Sequence, residues 1–233
     1  MNYLPWQAKI WQQLQERRDA DRLPHALLLS GPAGTGKQQF AQAFAESLLC
    51  KAPDDDGSAC GHCKACELIA AGSHPDWTVI SPEEEGKAIK VDQIRSLSEF
   101  TSLHAHYEGF KVVIVQPAEQ MNRAAANSLL KTLEEPSDNT VLILVSANPH
   151  RLLPTIRSRC QLLPFASPSR TDALAWLSPQ LQQNQDAVKL LEIAAGAPLT
   201  ALKLADSALM DVFEDNFTSI EAILSRQQDP LQV

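Results

Sequence analysis

The chain alternates between short runs that are almost entirely apolar and longer segments whose apolar residues recur every three or four positions. Unbroken apolar runs of five or six residues are typical of strands that are buried on both faces of a sheet. We predict five such strands, HALLLS (25–30), DWTVI (76–80), KVVIV (111–115), VLILV (141–145) and CQLLPF (160–165). Because helical segments separate them, the pattern predicts an α/β fold with a five-stranded parallel sheet.

The segments with helical spacing have recognisable ends. We predict helices that begin near Pro5, Lys37, Val91 and Arg123. The Val91 helix is predicted to continue to Ala105. The helix from Arg123 is predicted to stop before Pro136, because proline lacks a backbone donor and clashes with the preceding turn. After the linker SPSR (167–170) the pattern is helical only, with predicted segments 171–176, 186–195, 198–205 and 207–224.

Composition and charge argue against several classes of function. The 233 residues are 44% hydrophobic and 21% charged, and the formal net charge is −8. A stand-alone nucleic-acid binder usually carries a basic face, so the acidic balance argues against that class. No apolar run approaches the ~18 residues of a membrane span. The N-terminus is too polar for a secretory signal, and we therefore expect a cytoplasmic protein with no membrane contact.

The segment GPAGTGKQ (31–38) follows the first predicted strand and matches the phosphate-loop pattern GxxxxGK[ST] except at its last position. The candidate nucleotide-binding residues are Gly31, Gly34, Gly36, Lys37 and Gln38. Glycines let backbone N–H groups approach phosphate oxygens, and the lysine reaches the outer phosphates. The glutamine stands where a hydroxyl normally binds Mg²⁺, so we expect weak capture of the metal.

The strand KVVIV ought to end in carboxylates that hold Mg²⁺ and activate water, but it runs into Gln116 and Pro117. Neither side chain can act as a general base. Glu119 lies two residues further along, where we expect it no longer to project from the strand end. We therefore predict that the site does not hydrolyse ATP. Three alternatives stay open for the loop: it holds ATP or ADP without turnover, it binds no nucleotide, or its glycines only make a tight turn.

Four cysteines are crowded into CKAPDDDGSACGHCKAC (50–66). Cys50, Cys60, Cys63 and Cys66 have the spacing C-x9-C-x2-C-x2-C, in which two-residue gaps let thiolates converge on one tetrahedral ion. Four sulfur ligands leave no open position for water, so the pattern predicts a structural zinc site with His62 as a possible substitute ligand. Free thiols and a redox CxxC pair are the alternatives.

The segment TIRSRC (155–160) places two arginines within three residues after the fourth predicted strand. Arginines in such positions are most often surface ion pairs. The alternative is an arginine finger that stabilises charge on the phosphoryl group of a neighbouring subunit's nucleotide.

Three segments and the cysteine insertion resemble a known family. RLPHALLLSGPAGTGK (22–37), NSLLKTLEEPSDNT (127–140) and LPTIRSRC (153–160) look like the clamp-loader ATPase subunits of bacterial DNA polymerase III. The likeness runs from about Trp6 to Asp206. The altered strand end, and Leu199 where active subunits carry a sensor arginine, resemble the non-hydrolysing type of subunit more than the gamma and tau types.

The resemblance implies an AAA+ P-loop domain over residues 1–166 with a zinc module at 50–66, a helical lid domain at 167–207, and the start of a truncated helical collar at 208–233. It implies that Arg159 is the finger in trans and that Ser158 positions its turn. The implied partners are gamma or tau and delta subunits in a hetero-pentamer, which acts on the sliding clamp and primer–template DNA. We expect the isolated chain to be monomeric.

Two other functions fit parts of the sequence. One is a slow ATPase subunit of the gamma or tau type that uses Glu119 or water alone. The other is a zinc-stapled nucleotide sensor with no role in replication. Steady-state turnover separates the first of these from a silent assembly subunit, and stimulation of a partner ATPase separates the second.

Overall fold

The computed structural model describes residues 3–103, 105–107, 109–182 and 185–206. The chain divides into two compact units, residues 1–166 and 167–233. The assignment of these regions to an AAA+ domain, a lid and a collar stays a prediction. The predicted helix 207–224 and the predicted collar segment 208–233 lie outside the described residues.

The larger unit is built on the predicted parallel sheet. Its strands are β1 (Ala26–Ser30), β2 (Trp77–Ile80), β3 (Lys111–Val115), β4 (Thr140–Ser146) and β5 (Gln161–Pro164). Their order across the sheet is β2-β3-β4-β1-β5, and every neighbouring pair is parallel. The carboxyl ends of β1, β3 and β4 therefore meet at one edge, which is where ligands bind in open α/β sheets.

Helices cover both faces of the sheet. In this unit they are α1 (Ala8–Asp19), α2 (Lys37–Leu49), α3 (Lys64–Ala70), α4 (Val91–Ser102), α5 (Arg123–Glu134) and the short α6 (Pro154–Arg157). Side chains alternate between the faces along each strand. Leu27 and Leu29 of β1 pack with Phe40 and Phe44 of α2 on one face. Leu28 belongs to the core on the other face, which α4, α5 and α6 complete.

Three α-helices of this unit differ from the predictions. Helix α4 ends at Ser102, so the predicted end at Ala105 is wrong. Its last carbonyls are capped by the Lys111 ammonium, which donates to the carbonyls of Phe100 and Leu103 at 2.5 and 2.8 Å. The chain then turns because the buried Asp76 carboxylate accepts hydrogen bonds from the next backbone N–H groups, at positions 106 and 107. Helix α3, which begins inside the cysteine segment, and the short helix α6 were not predicted.

The smaller unit contains three described helices, α7 (Arg170–Leu177), α8 (Ala187–Ile193) and α9 (Pro198–Ala205). The side chain of Ser169 caps α7 and that of Asp186 caps α8. A small apolar core joins the three helices through Ala173, Leu177, Leu190, Leu191 and Ala201. Across the described residues of both units, no helix combines the length and the apolar composition that crossing a membrane requires.

The junction between β1 and β5 has no room for a side chain at Gly31. The Phe165 N–H donates to the Ser30 carbonyl at 2.7 Å. A Cβ added to Gly31 would lie 1.9 Å from the Phe165 carbonyl oxygen. Because that obstacle is the backbone of the residue that directly follows β5, a side-chain rotation cannot relieve the clash.

We predict that Gly31→Ala lowers the free energy of unfolding by about 3 kcal/mol or more, since the substitution overpacks a backbone contact. Gly72→Ala is the matched control, because Gly72 has φ +67° and a Cβ added there would meet no atom within 4 Å. The control removes only left-handed freedom and should cost about 1–2 kcal/mol. Urea unfolding of both variants is the measurement, and equal losses would contradict the prediction.

Candidate functional site

The phosphate-loop segment 31–37 connects β1 to α2 and turns back on itself. Gly34 and Gly36 have φ of +72° and +88°, which glycine adopts without strain. Lys37 is only 5% exposed, and its ammonium donates to the Pro32 carbonyl at 2.5 Å. The hydroxyl of the buried Thr35 donates to the same carbonyl at 3.0 Å. The predicted loop is present, and its lysine and threonine close it internally.

Residues just before α1 form hydrogen bonds with backbone carbonyls of this loop. Gln7 is fully buried, and its amide donates to the carbonyls of Thr35 and Gly36 at 3.1 and 3.0 Å. The indole N–H of Trp6 also donates to Thr35, at 3.1 Å. The Gln7 amide oxygen accepts from the Leu4 N–H at 2.9 Å. These contacts join residues that are 28 or 29 positions apart, so the spacing of apolar residues does not predict them. A signal that could have indicated them is a polar residue at a position where the helical pattern expects burial.

Amide side chains stand at the two positions where a phosphate-loop site usually carries a hydroxyl and a carboxylate that bind the metal. Gln38 is exposed on the first turn of α2. At the carboxyl end of β3, Gln116 follows the last strand residue, and its amide oxygen is buried with no hydrogen-bond partner among the described residues. The side chain of the strand end is therefore an amide that can neither ionise nor accept a proton from water.

Glu119 reaches this edge of the sheet despite its later position. One carboxylate oxygen accepts hydrogen bonds from the N–H groups of Ala147 and Asn148, at 2.9 and 3.2 Å, directly after β4. The other oxygen is buried and has no hydrogen-bond partner in the described part of the chain. We expected the side chain to lie away from the strand ends, and instead its carboxylate joins the loop that follows β4.

The electrostatics of the edge centre on Lys37. Burial lowers the pKa of its ammonium, and the negative charge of Glu119 acts in the opposite direction. A nearby anion favours the charged form of a buried lysine. The glutamate of the same chain supplies one.

The four predicted metal ligands come together beside α3. The Sγ–Sγ distances are 3.5 Å for Cys50–Cys60, 3.9 Å for Cys50–Cys63 and 3.6 Å for Cys63–Cys66. All four sulfurs lie within 4.8 Å of one another. Zinc–sulfur bonds of about 2.3 Å in a tetrahedron place sulfurs ~3.8 Å apart, so the cluster has the dimensions of a tetrathiolate site.

Backbone donors favour the thiolate of Cys63, whereas burial raises the pKa of Cys50 and raises that of Cys66 to about 12. Burial alone would favour the neutral thiol of Cys63, but hydrogen bonds from the backbone of Cys66 and Lys51 outweigh it and lower its pKa to about 6. The Cys60 N–H also donates to the Cys50 sulfur at 3.3 Å. The exposed His62 binds the Cys60 carbonyl at 2.8 Å and is not one of the clustered ligands. The four cysteines can therefore hold a metal such as zinc without it.

Arg159 lies between α6 and β5, and its side chain is 35% exposed. Its guanidinium forms an ion pair with Glu134 at 2.7 Å and donates to the Thr155 carbonyl at 3.0 Å. The Ser158 hydroxyl donates to the same carbonyl at 3.1 Å, which closes the turn. The ion pair that the sequence left open is thus present, and Glu134 was not foreseen as the partner.

Comparison with known proteins gives a consistent family. A sequence profile described as DNA polymerase III, delta subunit, matches residues 6–169. The chain is 45% identical to the DNA polymerase III subunit delta-prime of Pseudomonas aeruginosa over 96% of this chain and 67% of that protein. It is 40% identical to the subunit delta-prime of Escherichia coli K12 over 88% of this chain and 61% of that protein. The chain thus spans roughly two thirds of these relatives.

A solved structure has the same fold. The DNA polymerase III gamma subunit-related protein of Thermotoga maritima superimposes with a TM-score of 0.56 at 24% identity. The match covers 87% of this chain and 62% of that one. This likeness confirms the predicted α/β fold of the AAA+ P-loop class.

We predict that the purified chain holds one zinc ion and that Cys63→Ser removes it. Because metal binding contributes directly to folding, the variant should also melt roughly 5 °C lower, equivalent to about 2 kcal/mol in a domain of this size. Cys160→Ser is the matched control, since Cys160 lies outside the cluster. Elemental analysis and thermal unfolding are the measurements. Full zinc content in the Cys63 variant would show that the cluster is not a tetrathiolate site.

Proposed function

The chain belongs to the DNA polymerase III delta-prime family, and from that membership we propose that it is the non-hydrolysing subunit of a clamp loader. In this role it assembles with gamma- or tau-type and delta subunits into a hetero-pentamer in the cytoplasm. The assembly places a sliding clamp on primed DNA. The chain's own contributions are a rigid AAA+ module, a structural zinc site and an arginine that completes a neighbour's ATP site.

The absence of a carboxylate at the end of β3 carries the proposal that this site is silent. Hydrolysis needs a base or water-positioning group and a metal ligand at that edge. Gln116 supplies no general base and no anionic metal ligand, and Gln38 is exposed where a compact hydroxyl would be needed. One oxygen of Glu119 is already engaged by two backbone N–H groups, so that oxygen is not open to a proton from water.

The closed form of the phosphate loop supports the same proposal. The Lys37 ammonium binds the loop's own Pro32 carbonyl. Trp6 and Gln7 bind the loop's outer carbonyls from the N-terminal segment. These contacts hold the loop in one conformation with no nucleotide, as a structural module requires.

The geometry of Arg159 supports a role in trans. A guanidinium carries five N–H donors, and the contacts with Glu134 and Thr155 use only part of them. The side chain is partly exposed, so water screens the ion pair and keeps it weak. A neighbour's phosphate carries more charge than a carboxylate and can compete for the same bidentate donor.

The cysteine cluster is proposed to hold zinc as a staple and to take no part in chemistry. Four thiolates complete the coordination shell, so a bound zinc ion supplies stability to the segment between α2 and β2 and offers no site for water. The residues that hold it are Cys50, Cys60, Cys63 and Cys66.

We predict that the purified chain releases no phosphate from Mg-ATP above the level of Lys37→Ala. The missing strand-end carboxylate removes the activation of water, which normally contributes a factor of about 10²–10⁴. Phosphate release at saturating Mg-ATP is the measurement. Turnover that disappears in the Lys37 variant would favour the slow gamma- or tau-type ATPase instead.

We predict that Arg159→Ala reduces the ATPase activity of a reconstituted clamp loader by about 10²-fold or more, as expected for a lost finger. The Arg159→Lys assembly should have an ATPase rate between those of the unaltered and the Arg159→Ala assemblies, because an ammonium keeps the positive charge but lacks the planar set of donors of a guanidinium. Arg151→Ala is the control, since Arg151 is exposed on a neighbouring turn. ATPase rates are compared after each assembly is shown to form. Unchanged hydrolysis in the Arg159→Ala assembly would refute the finger assignment.

A further inference from the structure

Glu119 has an environment that its position on a connecting turn does not explain. It lies in the single turn Ala118–Gln120 after β3, yet its carboxylate crosses to the end of β4 and accepts from Ala147 and Asn148. Two successive backbone N–H groups that point at one oxygen form a small anion-binding site. In this chain the Glu119 carboxylate occupies that site.

The same edge contains further buried oxygen atoms. Besides the second oxygen of Glu119, the Gln116 amide oxygen and the Ser146 hydroxyl are buried without hydrogen-bond partners among the described residues. Ser146 is tied to the phosphate loop, because its carbonyl accepts from the Gly31 N–H at 3.3 Å. The carboxylate of Glu119 gives this edge a negative charge, which attracts a cation and repels a phosphate.

The cation of this edge is Lys37, which is buried in the loop that begins at Gly31. Its ammonium makes one hydrogen bond inside the loop, to Pro32. The opposing effect of Glu119 on the pKa of Lys37 agrees with a negative charge near the ammonium. A buried cation with a fixed anion nearby has little to gain from a second anion.

We propose that Glu119 is a positioning residue that takes the place of a nucleotide phosphate: its carboxylate occupies the backbone donors after β4 and supplies the counter-charge of Lys37. Both the donors and the lysine are then already engaged and do not bind ADP or pyrophosphate. The edge stays in one conformation, with no ligand needed. This inference rests on the proposed silent site and deepens it, because it names the group that excludes nucleotide.

The test is a charge-only substitution. Glu119→Gln keeps an amide oxygen that can accept from the two N–H groups but removes the negative charge. Calorimetric titration with ADP and, separately, with pyrophosphate should show at least about tenfold tighter binding than in the unaltered chain, corresponding to ~1.4 kcal/mol. Adding Lys37→Ala to Glu119→Gln should abolish the gain. Glu84→Gln is the control, because Glu84 is exposed and lies on the loop between β2 and α4.

Each outcome decides the question. Affinities of the Glu119→Gln chain within about twofold of the unaltered chain would overturn the inference, since a role limited to backbone capping predicts no change. If Glu119→Gln fails to fold, the double variant Lys37→Met, Glu119→Gln decides: recovery of folding supports the charge relation, and continued unfolding overturns it. Phosphate release from Mg-ATP is followed in parallel samples of the same proteins, so that turnover by the unaltered chain would count against the proposed function separately.

Discussion

The close approach of Gly31 to the Phe165 carbonyl is the constraint on which the larger unit depends. Strand β1 pairs with β4 on one side and β5 on the other, so its carboxyl end fixes three connections at once. The Gly31 N–H binds the Ser146 carbonyl, and the Phe165 N–H binds the Ser30 carbonyl. The phosphate loop, the loop after β4 and the segment after β5 therefore share one junction.

Burial decides which charges of the larger unit can respond to another molecule. Lys37 and Arg159 each lie near a carboxylate of the same chain, Glu119 and Glu134. Lys37 is 5% exposed, and its buried ammonium gains more from a nearby negative charge than an exposed cation would. The Arg159 side chain is 35% exposed, and an exposed pair contributes only about 0–1 kcal/mol. The first arrangement is a fixed part of the structure, and the second can exchange partners.

Local patterns predicted the elements well because each element is determined by its own residues. The five strands were found within one residue at each end, and the bounds of KVVIV coincide with those of β3, whose residues are all buried. The cysteine spacing likewise brought four sulfurs together, since short gaps restrict where thiolates can lie. Helix α4 ended early because its cap comes from Lys111, which lies beyond the helix on the next strand. The contacts of Gln7, Glu119 and Glu134 were missed for the same reason, as they join residues that are distant in sequence.

Two physical causes can explain a phosphate-loop pattern in this fold: nucleotide binding and the packing of the loop itself. Only the first needs a nucleotide. Gly31 is required by the Phe165 carbonyl, and Gly34 and Gly36 are required by left-handed backbone in the turn to α2. Lys37 provides positive charge where several buried oxygens gather. Because these residues form contacts within the protein, the loop is stable without metal ligands. The pattern at 31–37 thus indicates a type of junction, and the residues around it decide whether ATP takes part.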